Sequence, residues 1–213
     1  MTKDFIFDLD GVILDTEVQW KTMWFDFLNN NGFPFTEADY QRFPGGNWPI
    51  FYQELSKLYP GFYRSIDEMR AAYREYFKDY KIDYVALAFP HVKDLVCALK
   101  QRGYRLVIAS SSNYQHIENV TSALAIKEYF AFFVSGYDFK QSKPHPEIYL
   151  YTATRLNSRP EDCWVLEDST YGIMSAKAAN MRVIARRDER FGYDQSSADY
   201  FVDDLLEVLE IVD

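Results

Sequence analysis

Short, continuously apolar runs recur along this chain. Phe5, Ile6 and Phe7 form the first run, which leads directly into an acidic residue. Further runs of this kind occur at 105–109, 131–134, 164–166 and 182–185, and a weaker one occurs at 200–202. Runs this short are typical of strands that are buried on both faces of a parallel sheet. They therefore predict a parallel sheet with a strand at each run.

Helical patterns lie between the later runs. Apolar residues repeat at helical spacing within 95–99, 117–124, 149–153 and 173–176. Gly103 is a candidate helix end, Pro146 stands at a helix-start position, and Ser169 is a candidate N-cap. Strands that alternate with helices predict an α/β fold with a Rossmann-like parallel sheet.

The stretch from 16 to 86 breaks this alternation, because it shows helical periodicity and no convincing strand. Trp20 and Trp24 fall on one helical stripe. Ser65 and Glu68 have the spacing of a capping box. We therefore predict an all-helical cap inserted after the first strand. The predicted domains are an α/β core over 1–15 and 87–213 and a helical cap over 16–86.

The formal net charge of the 213 residues is −9. An acidic surface repels nucleic acids and anionic membranes, so neither is an expected partner. A small anionic substrate remains possible, since it responds to the local field of its pocket. The apolar run near the N-terminus ends in acids, which is typical neither of a signal peptide nor of a membrane span. We therefore expect a cytoplasmic protein.

Two acids, Asp8 and Asp10, directly follow the first predicted strand, with Gly11 behind them. Ligands of open α/β sheets bind at the carboxyl ends of the strands. Acids at this position suit a hard cation and an anionic substrate. Acids and glycine are equally common in solvated turns, so this pair alone leaves both interpretations open.

Three further strand ends carry functional groups. Ser110 and Ser111 follow the second strand, where hydroxyls and backbone N–H groups at a helix start form an anion site, with simple helix capping as the alternative. Lys143 precedes a proline just before a helix, and Glu167 and Asp168 end another strand. Buried paired acids need a cation or hydrogen-bond donors. Predicted together on one sheet edge, these groups indicate phosphoryl transfer assisted by magnesium.

With these motifs the chain resembles the haloacid dehalogenase-like hydrolase superfamily, and within it the beta-phosphoglucomutase-like and phosphoglycolate-phosphatase-like branch. The resemblance spans the whole chain. Its four motifs occur in order, as FDLDGV at 7–12, ASS at 109–111, SKPHPE at 142–147 and LEDS at 166–169. The resemblance implies Mg²⁺ as cofactor and a small phosphorylated metabolite as substrate, and it favours a monomer.

The resemblance also implies roles for the acidic motif residues. Asp8 is the nucleophile that becomes an aspartyl-phosphate, and Asp10 is first the general acid and then the general base. Magnesium is held by Asp8, by the backbone carbonyl of Asp10 and by Asp168. Glu167 is either a direct ligand or a partner that supports the ligands.

The remaining motif residues are implied to bind phosphate. Ser110, Ser111 and Lys143 hold the transferring phosphoryl group, and Lys143 also offsets the charge of Asp8. None of the three histidines of the chain is a catalytic candidate in this mechanism. A non-catalytic protein with a retained phosphate site is the alternative from another class, and the complete set of motif residues speaks against it.

The cap is expected to decide between a phosphatase and a mutase. Beta-phosphoglucomutases carry a phosphate-gripping Arg there, whereas this chain has FPGGNWP at 43–49, with no Lys, Ser or Arg. Without such an Arg a second phosphate dianion would be poorly held. We therefore expect a phosphatase, with a beta-phosphoglucomutase-type hexose-phosphate mutase as the alternative. Thr16, Trp20 and Trp48 are the candidate substrate contacts of the cap.

Overall fold

The computed structural model describes residues 3–40, 42 and 48–212. Its core is a sheet of six parallel strands. The strands are β1 (Lys3–Phe7), β2 (Tyr104–Ser110), β3 (Phe130–Ser135), β4 (Cys163–Glu167), β5 (Arg182–Arg186) and β6 (Tyr200–Val202). Each apolar run of the sequence lies within one of these strands. The predicted parallel α/β fold is therefore confirmed.

Helices account for most of the remaining regular structure. They are α1 (Glu17–Asn30), α2 (Glu37–Tyr40), α3 (Trp48–Leu58), α4 (Ile66–Tyr76), α5 (Tyr84–Leu87), α6 (Val92–Gln101), α7 (Tyr114–Ala123), α8 (Glu147–Leu156), α9 (Thr170–Ala178) and α10 (Val208–Ile211). The four helical patterns predicted after the cap coincide with α6, α7, α8 and α9. Within the described ranges, no helix has both the length and the apolar composition that a membrane crossing requires.

The order of the strands is β3-β2-β1-β4-β5-β6. Phe7 of β1 pairs with Ile108 of β2 on one side and with Leu166 of β4 on the other. The chain therefore winds outward from β1 to β3 and then begins again on the opposite side of β1 with β4. Ligands of open α/β sheets bind at the carboxyl ends of the strands at such a reversal point. Asp8, directly after β1, occupies this position.

Both faces of the sheet are covered by helices. Phe5 and Phe7 belong to one buried apolar cluster, together with Leu95 of α6. Ile6 belongs to a second cluster, together with Ile173 of α9. Successive residues of a strand point to opposite faces, so the two clusters are the two sides of the sheet. Burial on both sides fixes the strand ends that carry the polar motif residues.

Polar side chains begin the helices that follow the strand ends. The backbone N–H of Gly172 donates to Ser169 Oγ at 3.0 Å, so Ser169 caps α9 as predicted. The backbone N–H of His116 donates to Asn113 Oδ1 at 2.9 Å, which caps α7. Gly103 follows α6 with a φ of 84°, a left-handed conformation that glycine adopts without strain.

The chain forms two compact units. One consists of Met1–Thr16, Asp83–Glu189 and Tyr193–Asp213, and the other consists of Glu17–Ile82 and Arg190–Gly192. The first unit contains the whole sheet. The second unit contains α1 to α4. The sequence-based limits of 1–15, 16–86 and 87–213 for the core and the cap stay a prediction.

The helical unit has an aromatic core of its own. Trp24 of α1 stacks on Phe51 of α3, with ring centroids 4.9 Å apart. Ser65 caps α4, since the backbone N–H of Glu68 donates to its Oγ at 3.2 Å. Aromatic side chains therefore form much of the core of this unit and also contribute to the core beside the sheet.

An ion pair with a buried carboxylate joins β1 to β2 at their amino ends. Asp4 is fully buried. Arg105 donates from Nε to Asp4 Oδ1 at 2.7 Å and from Nη2 to Asp4 Oδ2 at 2.9 Å. Ser158 also donates to Asp4 Oδ2. The same two residues face each other in the β1–β2 register, so the pair supports the alignment of the central strands.

We expect Arg105→Met to lower the free energy of unfolding by about 3 kcal/mol, because it leaves a buried carboxylate without its charged partner. Urea denaturation followed by circular dichroism measures this change. Arg159→Met is the matched control, because the Arg159–Asp162 pair lies at the surface, where solvent screens it, and its loss should change the free energy of unfolding far less. Equal losses in the two variants would contradict a structural role for the Asp4–Arg105 pair.

Candidate active site

Lys143 joins two buried carboxylates at the carboxyl edge of the sheet. Its Nζ donates to Asp8 Oδ1 at 2.6 Å and to Glu167 Oε1 at 2.7 Å. It also donates to the carbonyl oxygen of Ala109 at 3.2 Å. Asp8 follows β1 and Glu167 ends β4, and all three charged side chains are buried. The contact between Lys143 and Asp8 that the motifs led us to expect is therefore present.

The shared ammonium group affects the two carboxylates differently. Burial raises the pKa of Asp8 to about 7, because Lys143 offsets this effect only in part and Glu167 adds to it. Burial also acts on Glu167, but the charge and hydrogen bond of Lys143 outweigh it and lower the pKa of Glu167. Burial opposes the charge on Lys143, yet the two acids together raise its pKa well above the ordinary value.

Glu167 is surrounded by hydrogen-bond donors. Its Oε1 accepts from Lys143 and from the hydroxyl of Tyr149 at 3.0 Å. Its Oε2 accepts from the backbone N–H groups of Asp168 and Ser169 at 3.0 and 3.1 Å, and from Ser169 Oγ at 3.1 Å. Five donors leave little of this carboxylate free to bind a cation directly. The geometry favours Glu167 as a partner that supports the other acids.

The loop after β1 passes directly over Asp168. Gly11 has a φ of 85°, and a Cβ atom on it would lie 2.0 Å from Asp168 Oδ2. A side chain at this position would therefore collide with the carboxylate. The glycine of the first motif is required both for the left-handed turn and for this close approach.

Two residues outside the motifs hold the loops around the site. Arg186 is buried, donates from Nε to the carbonyl oxygen of Gly11, and pairs with Asp188 at 2.7 Å. Gln195 donates from Nε2 to the carbonyl oxygen of Asp168 and to that of Arg186 at 2.7 Å. The loops after β1 and β4 are thus tied to the end of β5.

The acidic side chains at the sheet edge fit a magnesium ion. Asp8, Glu167 and Asp168 each offer a carboxylate oxygen, and these oxygens lie within 4.8 Å of one another. Hard oxygen donors at this spacing suit Mg²⁺. A cation beside them would also stabilise the ionised form of Asp8, whose pKa is raised by burial first and by the charge of Glu167 in addition.

Asp10 accepts three side-chain hydrogen bonds. Thr16 Oγ1 donates to its Oδ1 at 3.0 Å, and Ser112 Oγ donates to its Oδ2 at 2.7 Å. His116 Nε2 lies 3.2 Å from Oδ1. Burial alone would raise the pKa of Asp10, but these partners, His116 foremost, lower it below its usual value. Asp8 and Asp10 therefore stand two residues apart with opposite pKa shifts.

Sequence reasoning missed several of these contacts. It omitted His116 from the site and interpreted Tyr149 as an apolar residue of a helix, and it gave no role to Arg186 or Gln195. Thr16 was a candidate substrate contact, and the structure places it against Asp10. A substrate contact by Thr16 stays a prediction.

The other candidate residues lie in two places. Ser110 is buried at the end of β2, where its Oγ accepts from the backbone N–H of Ser112 at 3.0 Å, and Ser111 is exposed. Trp20 and Trp48 pack against the aromatic core of the helical unit. The phosphate and substrate roles of these residues stay predictions. Of the cap segment at 43–49, residues 43–47 lie outside the described residues.

Comparison with known proteins identifies the family. The family profile for haloacid dehalogenase-like hydrolases matches residues 5–186 of the 213. The chain belongs to the haloacid dehalogenase-like hydrolases. The resemblance inferred from the four motifs is thereby confirmed.

Three proteins illustrate the branch of this family. A phosphorylated carbohydrates phosphatase of Thermotoga maritima is 30% identical over 186 residues, which cover 84% of this chain and 82% of that protein. A solved structure from Thermotoga maritima, assigned to the beta-phosphoglucomutases, is 27% identical with a TM-score of 0.76, covering 99% of this chain and 100% of that one. A Haemophilus somnus protein, predicted to be a phosphoglycolate phosphatase, is 22% identical with a TM-score of 0.81 over 99% and 97% of the two chains. At this lower identity the likeness shows the fold alone.

This haloacid dehalogenase-like protein is therefore an enzyme, a phosphoric monoester hydrolase. The residues that carry the family motifs are the ones that the structure gathers at the carboxyl ends of β1, β2 and β4. The same fold is shared by the mutase-type relative, so the fold does not distinguish hydrolysis from isomerisation.

We expect Gly11→Ala in this haloacid dehalogenase-like enzyme to lower phosphatase kcat/KM by about 100-fold or more, because the new Cβ displaces Asp168. Steady-state kinetics with an aryl phosphate measures the change. Gly103→Ala is the matched control, since Gly103 has a φ of 84° and no atom of the described residues lies within 4 Å of the added Cβ. Both variants should lose about 1 kcal/mol of stability from the left-handed conformation. Equal activities would show that the approach to Asp168 is unimportant.

Proposed function

We propose that this enzyme is a magnesium-dependent phosphatase that hydrolyses a small phosphorylated carbohydrate through an aspartyl-phosphate on Asp8. The observation that supports this proposal most strongly is the arrangement of Asp8 itself. It lies at the reversal point of the sheet, in contact with Lys143 and beside the buried acids Glu167 and Asp168. A carboxylate in this setting can act as a nucleophile on a dianionic phosphate, whose charge the lysine offsets.

The magnesium ion would be held by Asp8, Asp168 and the backbone carbonyl of Asp10, with Glu167 supporting them. When bound, it neutralises charge on the transferring phosphoryl group and its oxygens. Its fit is supported by the close spacing and burial of the carboxylates. The five donors around Glu167 favour a role as a hydrogen-bonded partner of the ligands over a role as a direct ligand.

The first chemical step forms a bond between a carboxylate oxygen of Asp8 and phosphorus, and breaks the bond between phosphorus and the leaving oxygen. Asp10 gives its proton to that leaving oxygen, so the product departs as an alcohol. Lys143, Ser110 and Ser111 hold the phosphoryl group during the transfer. The contact of Lys143 Nζ with Asp8 Oδ1 supports this role, because the ammonium group lies beside the proposed nucleophile.

The second step releases phosphate. Water attacks phosphorus of the aspartyl-phosphate, and the carboxylate of Asp10 takes the proton that the water loses. The bond between phosphorus and the Asp8 oxygen breaks, which regenerates the free carboxylate and yields inorganic phosphate. Asp10 ends the cycle protonated, ready for the next leaving group.

The substrate class is proposed from similarity and from the cap. The relative from Thermotoga maritima that is 30% identical acts on phosphorylated carbohydrates. Trp20 and Trp48 of the helical unit are the proposed contacts for the apolar face of a sugar, a face on which aromatic rings pack well. Thr16 is the third proposed contact. We further propose that the enzyme acts as a monomer in the cytoplasm.

We expect Asp8→Asn to lower magnesium-dependent release of phosphate from 4-nitrophenyl phosphate by about 10⁴-fold or more, because the variant lacks the nucleophile. A colorimetric phosphate assay measures this loss, and circular dichroism checks that the variant is folded. Rapid quenching of the wild type with labelled substrate should trap a hydroxylamine-sensitive phosphoprotein that the variant does not form.

The control for this prediction is Asp203→Asn, an exposed acid whose loss should leave activity unchanged. Removal of the metal with EDTA should abolish the activity of the wild type, and added Mg²⁺ should restore it. Turnover by Asp8→Asn at a rate near that of the wild type would rule out Asp8 as the nucleophile.

Mutase activity is the alternative function, because the 27%-identical solved structure is assigned to the beta-phosphoglucomutases. We expect little glucose 6-phosphate from β-glucose 1-phosphate with Mg²⁺ and a trace of glucose 1,6-bisphosphate, because 43–49 lacks a basic residue to hold a second dianion. A coupled dehydrogenase assay measures the product. Conversion that is faster than hydrolysis of the same sugar phosphate would favour the mutase.

A further inference from the structure

His116 is a partner of Asp10 that lies outside the family motifs. Its Nε2 lies 3.2 Å from Asp10 Oδ1, although 106 residues separate the two in the sequence. When Asp10 has given up its proton, its carboxylate can only accept hydrogen bonds, so Nε2 carries the proton of this contact in that state. The imidazole is therefore a donor to the residue that the proposed function makes the general acid and base.

The fold fixes where this imidazole points. His116 lies in the first turn of α7, and its backbone N–H is bonded to the capping Asn113. Side chains of a helix lean toward its amino end, which here follows the end of β2. The next residue, Ile117, is fully buried and sets the rotation of the helix. The ring of Tyr84 packs edge-on against the imidazole, with centroids 5.7 Å apart.

His116 completes a set of donors that covers both oxygens of Asp10. Ser112 donates to Oδ2, while Thr16 and His116 share Oδ1. A carboxylate that is hydrogen-bonded at only one oxygen can still rotate about its Cβ–Cγ bond, whereas hydrogen bonds at both oxygens restrict that rotation. Ser112 precedes α7 and His116 lies in its first turn, so the segment from the end of β2 into α7 supplies two of the three donors that orient Asp10.

We propose that His116 is a positioning residue that aims the carboxyl group of Asp10 at the leaving oxygen of the substrate. The inference rests on the proposed function, because it concerns the residue that supplies the proton there. His116 itself touches neither phosphate nor leaving group in this role. It acts through the hydrogen bond from Nε2 to Asp10, and Tyr84 and the start of α7 keep its ring in place.

Two variants separate the donor from the ring. His116→Phe keeps an aromatic ring against Tyr84 but removes the donor. His116→Gln removes the ring but keeps an N–H donor near the position of Nε2. A purely structural residue that fills the space between α5 and α7 would tolerate Phe and suffer from Gln, whereas a positioning donor behaves in the opposite way.

Two substrates distinguish a loss of proton donation by Asp10 from a general loss of activity. 4-Nitrophenolate is a stable anion and leaves without a proton, whereas the alkoxide of a hexose 6-phosphate needs the proton of Asp10. We expect His116→Phe to lower kcat/KM for the hexose phosphate by about 10- to 100-fold, and that for 4-nitrophenyl phosphate by less than about 3-fold. His116→Gln should stay within about 3-fold of the wild type on both substrates.

Other results overturn the proposal. They are an equal loss on both substrates in His116→Phe, no loss on either, or a loss in His116→Gln as large as that in His116→Phe. Wild-type enzyme that turns over neither substrate contradicts the proposed function instead. A long-range ¹H–¹⁵N spectrum of the imidazole tests the hydrogen bond without turnover, because it should show a protonated Nε2, and a bare Nε2 overturns the proposal.

Discussion

The ammonium group of Lys143 lies between Asp8 and Glu167, and the surrounding structure keeps it there. Burying carboxylates is costly unless they are paired and fully hydrogen-bonded. Glu167 meets this requirement with five donors, one of them the hydroxyl of Tyr149. Asp8 shares Lys143 with Glu167, and burial raises its pKa to about 7 because Lys143 offsets the effect only in part. Two buried carboxylates therefore share one ammonium group, and a cation at this edge of the sheet would offset the negative charge that is left over.

The environment of Asp10, the second acid of the first motif, shifts its pKa in the opposite direction from that of Asp8. Asp10 is held by hydroxyls and an imidazole that lower its pKa, whereas Asp8 is held by a lysine shared with another acid. Environments that push the pKa values of neighbouring acids apart allow them to take different roles in one reaction. The roles that we propose for Asp8 and Asp10 would need such a separation. The partners of Asp10 come largely from the β2–α7 segment, whereas Lys143 comes from the segment before α8. Two different parts of the chain therefore produce the opposite pKa shifts of Asp10 and Asp8.

The chemistry and the aromatic helices belong to different units of the chain. The acids and Lys143 lie in the unit that contains the sheet, and Trp24 and Phe51 form part of a separate core among α1 to α4. Relatives of this chain include a phosphatase and a mutase-type protein, so the fold by itself does not choose the acceptor of the phosphoryl group.

The strands, the helix caps and the motif acids followed from local patterns. Short apolar runs predicted all six strands, and Ser169 was correctly predicted as a cap, because burial periodicity and capping depend on residues close together in the chain. The sequence also led us to expect Asp8, Lys143 and Asp168 near one another, since the carboxyl ends of parallel strands lie on one edge of a sheet, and their roles in the reaction stay predictions. Only the tertiary structure showed that Tyr149 donates to Glu167, that Gln195 holds Asp168, and that His116 meets Asp10. Each of these contacts depends on how far a helix is rotated or where a loop returns, and packing between distant segments decides both.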